Sequence, residues 1–360
     1  MTDKPVEHAY SNRSSKWKLV LLGLILGLFL TIIVSLNIGY ASISFQEILN
    51  IIGKQIPFVN NTVNPSSVSP INEAIILQIR LPRILAGALV GAGLAAAGVV
   101  YQGIFRNPMA DSYVLGASAG ASVGYTLAVL YITSSISLIG LGTAQIFAFI
   151  FAVVTVFLVY FISRVGSKVP TTTLLLSGIV VNIFLLSIET VMELRAGNKL
   201  QGIIAWISGA GFSNIVWAQV WLVLPFVLIG TAIIYFFTRD LNMLAMGDDT
   251  AQHLGVNTET VRRFLLVVAS LITAAAVCVS GVIGFVGLII PHMTRLIIGP
   301  DHRILLPTSV IVGAIFLVLC DAVARVATGA SELPVGVITA LVGTPFFIYL
   351  LRKRKTSYSL

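Results

Sequence analysis

The residues from Arg239 to Arg263 carry the densest set of groups able to engage a partner in an otherwise apolar chain of 360 residues. Asp248 and Asp249 suit a helix start, where a carboxylate accepts from free backbone N–H groups and favours the positive dipole end. Gly255 suits a left-handed stop, and Asn257 offers a second cap with Glu259 in the turn that follows. Two short capped helices make a docking surface, which a passive loop does not need. Other chemistry is absent. No Gly-x-x-x-x-Gly-Lys-Ser/Thr phosphate loop occurs, so this chain is not expected to hydrolyse ATP. His8, His253, His292 and His302 show no metal-ligand spacing, and no catalytic constellation suggests a membrane hydrolase. We expect no cofactor, no metal site and no catalytic residues, with any coupled catalysis residing on a partner.

The elements that must position this segment are membrane helices. Hydrophobic residues make up 57% of the chain and charged residues 10%, against roughly 25% charged in soluble domains. Runs free of Asp, Glu, Lys and Arg cover Leu19 to Gln46, Ile84 to Phe105, Ser112 to Ser163, Val169 to Ile188, Leu200 to Thr238, Phe264 to Met293, Ile304 to Cys320 and Leu333 to Leu351. A span needs about 20 residues, so the longest runs must be divided. Dividing at Thr133 to Gly142, at Gly209 to Asn214 and at Ser280-Gly281 predicts an all-α polytopic protein of about ten transmembrane helices, with a short outer helix after Leu200. The absence of period-two alternation excludes a transmembrane β-barrel.

The net charge of +8 reflects membrane orientation rather than nucleic-acid binding. With both termini inside, 16 of the 22 Lys and Arg residues fall on the inner side, against Lys54, Arg80, Arg83, Arg195, Lys199 and Arg325 outside. The expected organisation is a cytoplasmic tail over 1–16, one transmembrane domain over 17–352 with its 239–263 segment in the cytoplasm, and a cytoplasmic tail over 353–360. The first apolar stretch reads as a retained span rather than a cleaved signal. Residues Ala41 to Ile79 read as a polar outer loop with one amphipathic helix around Phe45 to Ile52. Blocks from Arg80 to Glu193 and from Arg262 to Leu351 each hold four apolar segments of opposite orientation, the pattern of an inverted repeat. Gly116, Gly120 and Gly124 form a small-residue packing face, and Cys278 and Cys320 are packing residues.

A family resemblance rests on several motifs. Arg80-Leu81-Pro82-Arg83, Gly91 to Gly98 with Gln102, Arg106-Asn107-Pro108-Met109-Ala110, and Leu115 to Ala121 mark the first half. Gly284 to His292 with Arg295, Gly299 to Arg303, Asp321 with Arg325, and Glu332 to Gly336 mark the second. Together they resemble the FecCD-like permease subunits of iron-siderophore, haem and vitamin B12 ABC importers. The resemblance implies a type II importer in the cell membrane: a homodimer of ten-helix chains, two cytoplasmic ABC ATPase subunits and an external substrate-binding protein. It implies ATPase coupling through Gly247, Ala251, Leu254 and Gly255. It implies binding-protein docking through Arg80, Arg83 and Arg325, the favoured reading for Arg80 and Arg83; snorkelling, or for Arg325 an internal Asp321–Arg325 pair at i,i+4, is the alternative. It places a cytoplasmic gate at Thr171 and Thr172 with a second constriction at Asn107 and Met109, residue types that also cap helices. Met109 replaces the usual Leu, and Ser112 stands where the family often has Pro. The implied cargo is a metal chelate, by default a ferric siderophore, with cobalamin or haem as alternatives. An ion-coupled secondary transporter is a further reading, against which Glu189, Glu193 and Asp321 sit near span ends rather than midspan.

Overall fold

The structure is a computed structural model that describes residues 4–55, 68–132, 141–166, 169–329 and 331–355, with side chains from residue 16 to residue 349 within those ranges. The Asn60 to Ser67 part of the polar loop, most of the Thr133 to Gly142 turn and the 356–360 end of the C-terminal tail lie outside the described residues. No strand occurs among those described. The helices are α1 (Lys4–Asn37), α2 (Phe45–Gln55), α3 (Pro70–Ala74), α4 (Leu81–Phe105), α5 (Ala117–Tyr131), α6 (Thr143–Ile162), α7 (Thr171–Glu193) and α8 (Leu200–Ile207). They continue with α9 (Trp217–Phe236), α10 (Thr238–Ala245), α11 (Asp248–His253), α12 (Thr258–Ser280), α13 (Val286–Ile298), α14 (His302–Ala324) and α15 (Val335–Lys355).

Among the described residues, seven helices are long and apolar enough to cross a membrane: α1, α3–α4 as one unit, α6, α7, α9, α12 and α14. The shorter α13 and α15 are also apolar, and the Gly-, Ala- and Ser-rich α5 completes the ten expected. Helices suit this setting because every backbone polar group inside hydrocarbon must be paired within its own segment.

The layering follows side-chain size. In α4, 83% of the most apolar window is buried, against 11% in α1, so α4 is central and α1 peripheral. Without a hydrophobic drive between helices in lipid, close approach supplies the attraction, and small residues permit it. A Cβ added at Gly98 of α4 would lie 1.9 Å from the Gly287 carbonyl oxygen of α13. Added at Gly120 or Gly124, it would strike the α6 backbone at Phe151 or Phe147, at 2.6 and 2.5 Å. The Gly116 to Gly124 face is thus a helix-packing surface, as expected.

Two ends of the bundle are defined by side chains. Asp248, ahead of α12, reaches Arg106 at the end of α4 and Arg262 in α12, while Asn242 in α10 reaches Asp301 before α14. This is the α10–α11 end. At the other end, Arg325 after α14 meets Ser35 and Ile38 of the α1 exit. α4 therefore starts at the far end and α12 at the α10–α11 end, so the two four-helix blocks run in opposite senses. Each block follows the order long, short, long, long: 25, 15, 20 and 23 residues, then 23, 13, 23 and 21. The inverted repeat has its structural counterpart.

One expectation is corrected. The outer loop does not run to Ile79: helix begins at Pro70 and passes through a π-turn, Ile75–Arg80, into α4. Contacts that sequence periodicity does not show hold it. Lys54 pairs with Glu73 at 2.8 Å, Glu47 accepts from the Ser69 amide and from Asn72, and Ile76 is fully buried. α2 occupies the region of the expected amphipathic helix and buries Ile48 and Ile51.

Candidate functional site

The α10–α11 segment is a pair of short helices, with glycines in the left-handed region at both ends of α11. α11 opens at Gly247 (φ 123°, ψ 151°), a backbone conformation open to glycine and strained for other residues. Gly247 is the N-cap, so Asp248 and Asp249 occupy the first turn rather than capping it, where their charges still favour the positive dipole end. Asp248 bridges Arg106 and Arg262, and Arg262, nearly buried, also takes Glu259 at 3.0 Å. At its other end α11 closes in a Schellman arrangement: Gly255 (φ 89°) donates to Gln252 and Val256 donates to Ala251, with Val256 packed beside Ala251 and Leu244. Asn257 then caps α12 by accepting from the Thr260 amide. The outcome is a sorted surface. Ala251 is fully buried and anchors the turn, while Leu254 (56% exposed) and Met246 (67% exposed) present apolar side chains outward beside Gly255.

The segment is tied to the bundle a second time through α14. Asn242 donates to Asp301 at 2.9 Å and accepts from the His302 amide at 2.9 Å. Hydrogen bonds from Arg303 and Asn242 hold the Asp301 carboxyl well below the usual carboxylate range.

A cavity of about 850 Å³ lies on one face of the bundle, walled by Met109, Asp111 and Tyr113 from the connection after α4, by Phe285 before α13, and by Val337, Leu341 and Thr344 of α15. A second hollow of about 480 Å³ shares Tyr113, Val114, Ile207 and Val282 with it and continues along α5 and α7 past Ser118, Ser122 and Asn182 to Glu189. Among the described residues no Lys, Arg or His lines either hollow, whereas Asp111 and Glu189 do. Phe285 at φ 70° is one of two non-glycine residues in the left-handed region among those described, and it shapes the entry to α13 beside this wall. Ser118 lies within Gly116-Ala117-Ser118-Ala119-Gly120, which spells Gly-x-Ser-x-Gly. Its context is the start of α5 packed on α6, not the strand-to-helix turn that exposes a nucleophile.

Of the expected gate residues, Met109 is placed in the cavity wall, 45% exposed, and Asn107 orients it by accepting from the Met109 amide at 3.0 Å. Thr171 and Thr172 form the first turn of α7, half-buried and exposed respectively, away from both hollows. They do not cap it: the N-cap is Pro170, and no side chain bonds there. Tyr113, Asn182 and Glu189 line the second hollow and were not expected there. Asn182, which donates to the Tyr113 carbonyl at 2.6 Å, and Glu189 lie seven apart on α7, two helical turns, and that spacing was the available signal.

The three arginines expected at a docking rim are turned inward. Arg80, Arg83 and Arg325 are each 5% exposed. Arg80 donates to the carbonyls of Leu36 (2.6 Å) and Ala41. Arg83 bridges Asp321 (2.8 Å) and Glu332 (2.6 Å), and Arg325 meets Asp321 at 3.2 Å, Ser35 at 2.5 Å and Ile38 at 2.7 Å. The internal Asp321–Arg325 pair is thus the arrangement observed, and these guanidiniums lock α1, α4 and α14 together instead of offering free charge. The reason is desolvation: charges near hydrocarbon are stable only when paired.

A ten-span bundle with an inverted repeat, a side cavity and a doubly anchored two-helix projection defines a transport permease. The profile of the FecCD transport family matches residues 27–353, and the chain belongs to this family of type II ABC importer permeases. A cobalamin import system permease protein of Halobacterium salinarum is 46% identical over 79% of this chain and 74% of its own length. A molybdate import system permease protein of Haemophilus influenzae is 34% identical over 93% and 96%. A solved metal-chelate type ABC transporter in an inward-facing conformation superposes with a TM-score of 0.78 at 32% identity, covering 93% of this chain and 99% of that one.

Proposed function

We propose that this chain is one of two identical permease subunits of an ATP-driven importer, working with two ATPase subunits and an external binding protein, and that its cargo is a bulky metal chelate rather than a small oxyanion. The carrying observation is the wall chemistry: two joined hollows lined by Asp111 and Glu189 and by no basic side chain. A wall without a basic side chain among the described residues offers an oxyanion no counter-charge, and weak apolar walls let a bulky cargo go. The similarity to a cobalamin permease makes cobalamin the first cargo to test; a ferric siderophore is the second, and haem the third.

In this reading the α10–α11 end faces the cytoplasm, both termini lie there, and each ATPase receives Leu254, Gly255 and Met246 in a groove. Nucleotide-driven closure then tilts α4, α12 and α14 through Asp248 and Asn242 as a rigid-body motion. Thr172, exposed at the start of α7, faces its copy on the second subunit, and Met109 narrows the path above it. Of the three arginines, Arg83 alone pairs with a partly exposed carboxylate, Glu332, and a binding-protein acid competes there.

The test is uptake by the permease reconstituted with its ATPase and binding protein. Labelled cobalamin or ferric siderophore accumulating despite excess molybdate supports the cargo assignment. ATP-dependent uptake of molybdate with neither chelate transported contradicts the assignment and leaves the permease role standing.

A further inference from the structure

We propose that the groove between α6, α7 and α12 is a binding site for one anionic phospholipid. The groove has a cavity of about 250 Å³ and shares no lining residue with the two cargo hollows. Its floor is apolar, with Val156, Phe157, Leu174 and Leu266, and Arg164 and Arg263 stand at its α10–α11 end. The two guanidiniums differ from their neighbour. Arg262 is committed to Asp248 and Glu259, whereas neither Arg164 nor Arg263 pairs with a carboxylate among the described residues. Arg164 spends only its Nε, on the Gly166 carbonyl at 2.8 Å. Arg263 lies over the ring of Tyr160, 5.9 Å from its centroid, and Tyr160 itself lines the groove.

An apolar slot ending in two unpaired arginines fits one amphiphile. An acyl chain fills the slot, and a phosphodiester sits between the guanidiniums, whose planar forks match phosphate oxygens. The membrane supplies this occupant, because the adjoining face of α6 exposes Val154, Leu158 and Phe161, an apolar strip that hydrocarbon covers. A zwitterionic lipid carries its own cation and gains far less from the pair.

Native mass spectrometry of the purified full chain, titrated with phosphatidylglycerol or phosphatidylcholine of the same acyl chains, reads the site. Phosphatidylglycerol should be retained roughly tenfold more strongly. The R164Q/R263Q double variant should bring it down to the phosphatidylcholine level, while R195Q, at the far end, should change nothing. Equal retention of the two lipids by the unmodified chain overturns the proposal, as does undiminished phosphatidylglycerol binding by a monodisperse double variant. Displacement of the lipid by millimolar inorganic phosphate also overturns it, since that identifies a free-anion site. If the double variant aggregates, the headgroup comparison and the phosphate competition on the unmodified chain still decide.

Discussion

At the scale of single residues, Leu254 and Gly255 present an outward face while Asp321 and Asp301 hold charge inside the fold. Leu254 projects from a turn whose geometry is fixed by Gly255 behind it and Ala251 beneath it. Leu254→Asp places a charge in the expected ATPase groove without touching the bundle. The account predicts correct insertion, retained ATP hydrolysis and at least a roughly tenfold loss of uptake, read in parallel ATPase and transport assays. Gly255→Val forces a β-branched residue to φ 89°, which costs about 1–3 kcal/mol locally and should reproduce the same uncoupling. Asp321 makes the opposite prediction. It is fully buried between Arg83 and Arg325, so Asp321→Asn leaves Arg325 without a carboxylate and Arg83 with Glu332 alone, and should destabilise the chain by about 3–5 kcal/mol, visible as a lowered thermal midpoint in detergent. A midpoint unchanged within error contradicts the locking role given to the three arginines. Asp301 adds a pH signature. Its carboxyl is held below the usual range, so its contribution is present at neutral pH and is lost only as pH falls through that lowered value.

Among the elements, α4 carries the packing. Gly98→Val drives a side chain into the Gly287 carbonyl of α13 and should abolish a monodisperse peak on size-exclusion chromatography, while Ala97→Ser, at a buried small site, should be tolerated. Spans were legible in the sequence because charge-free runs report burial in lipid directly, and the breaks at Gly209 and Gly281 fall where left-handed glycines end helices. The capped projection was legible because Gly255 and Asn257 have few conformational alternatives at a helix junction. The Pro70 to Arg80 extension was not, since it is held by Glu47 and Glu73 across about 20 residues of separation, beyond any local pattern. The inward turn of Arg80, Arg83 and Arg325 was legible only as the i,i+4 alternative for Asp321. Its other partners, the Leu36, Ile38 and Ala41 carbonyls and Glu332, come from segments far away in sequence.

For the whole molecule, the wall of the two hollows and the α10–α11 projection lie on one continuous bundle. Asp248 and Asn242 tie the projection to α4, to α12 and to the start of α14. Family membership leaves the cargo open, because permeases of one scaffold serve both cobalamin and molybdate systems. The absence of a basic side chain from that wall, among the described residues, is what this chain adds, and Glu189→Lys should slow uptake of a cationic chelate several-fold while sparing ATP hydrolysis. The central claim is that transport is driven by ATP on a partner and transmitted through Leu254 and Gly255. Uptake into ionophore-treated proteoliposomes holding this chain, its ATPase and its binding protein tests it directly. The account predicts accumulation that requires ATP, persists without any ion gradient and disappears with Leu254→Asp; accumulation driven by an ion gradient in the absence of ATP contradicts it.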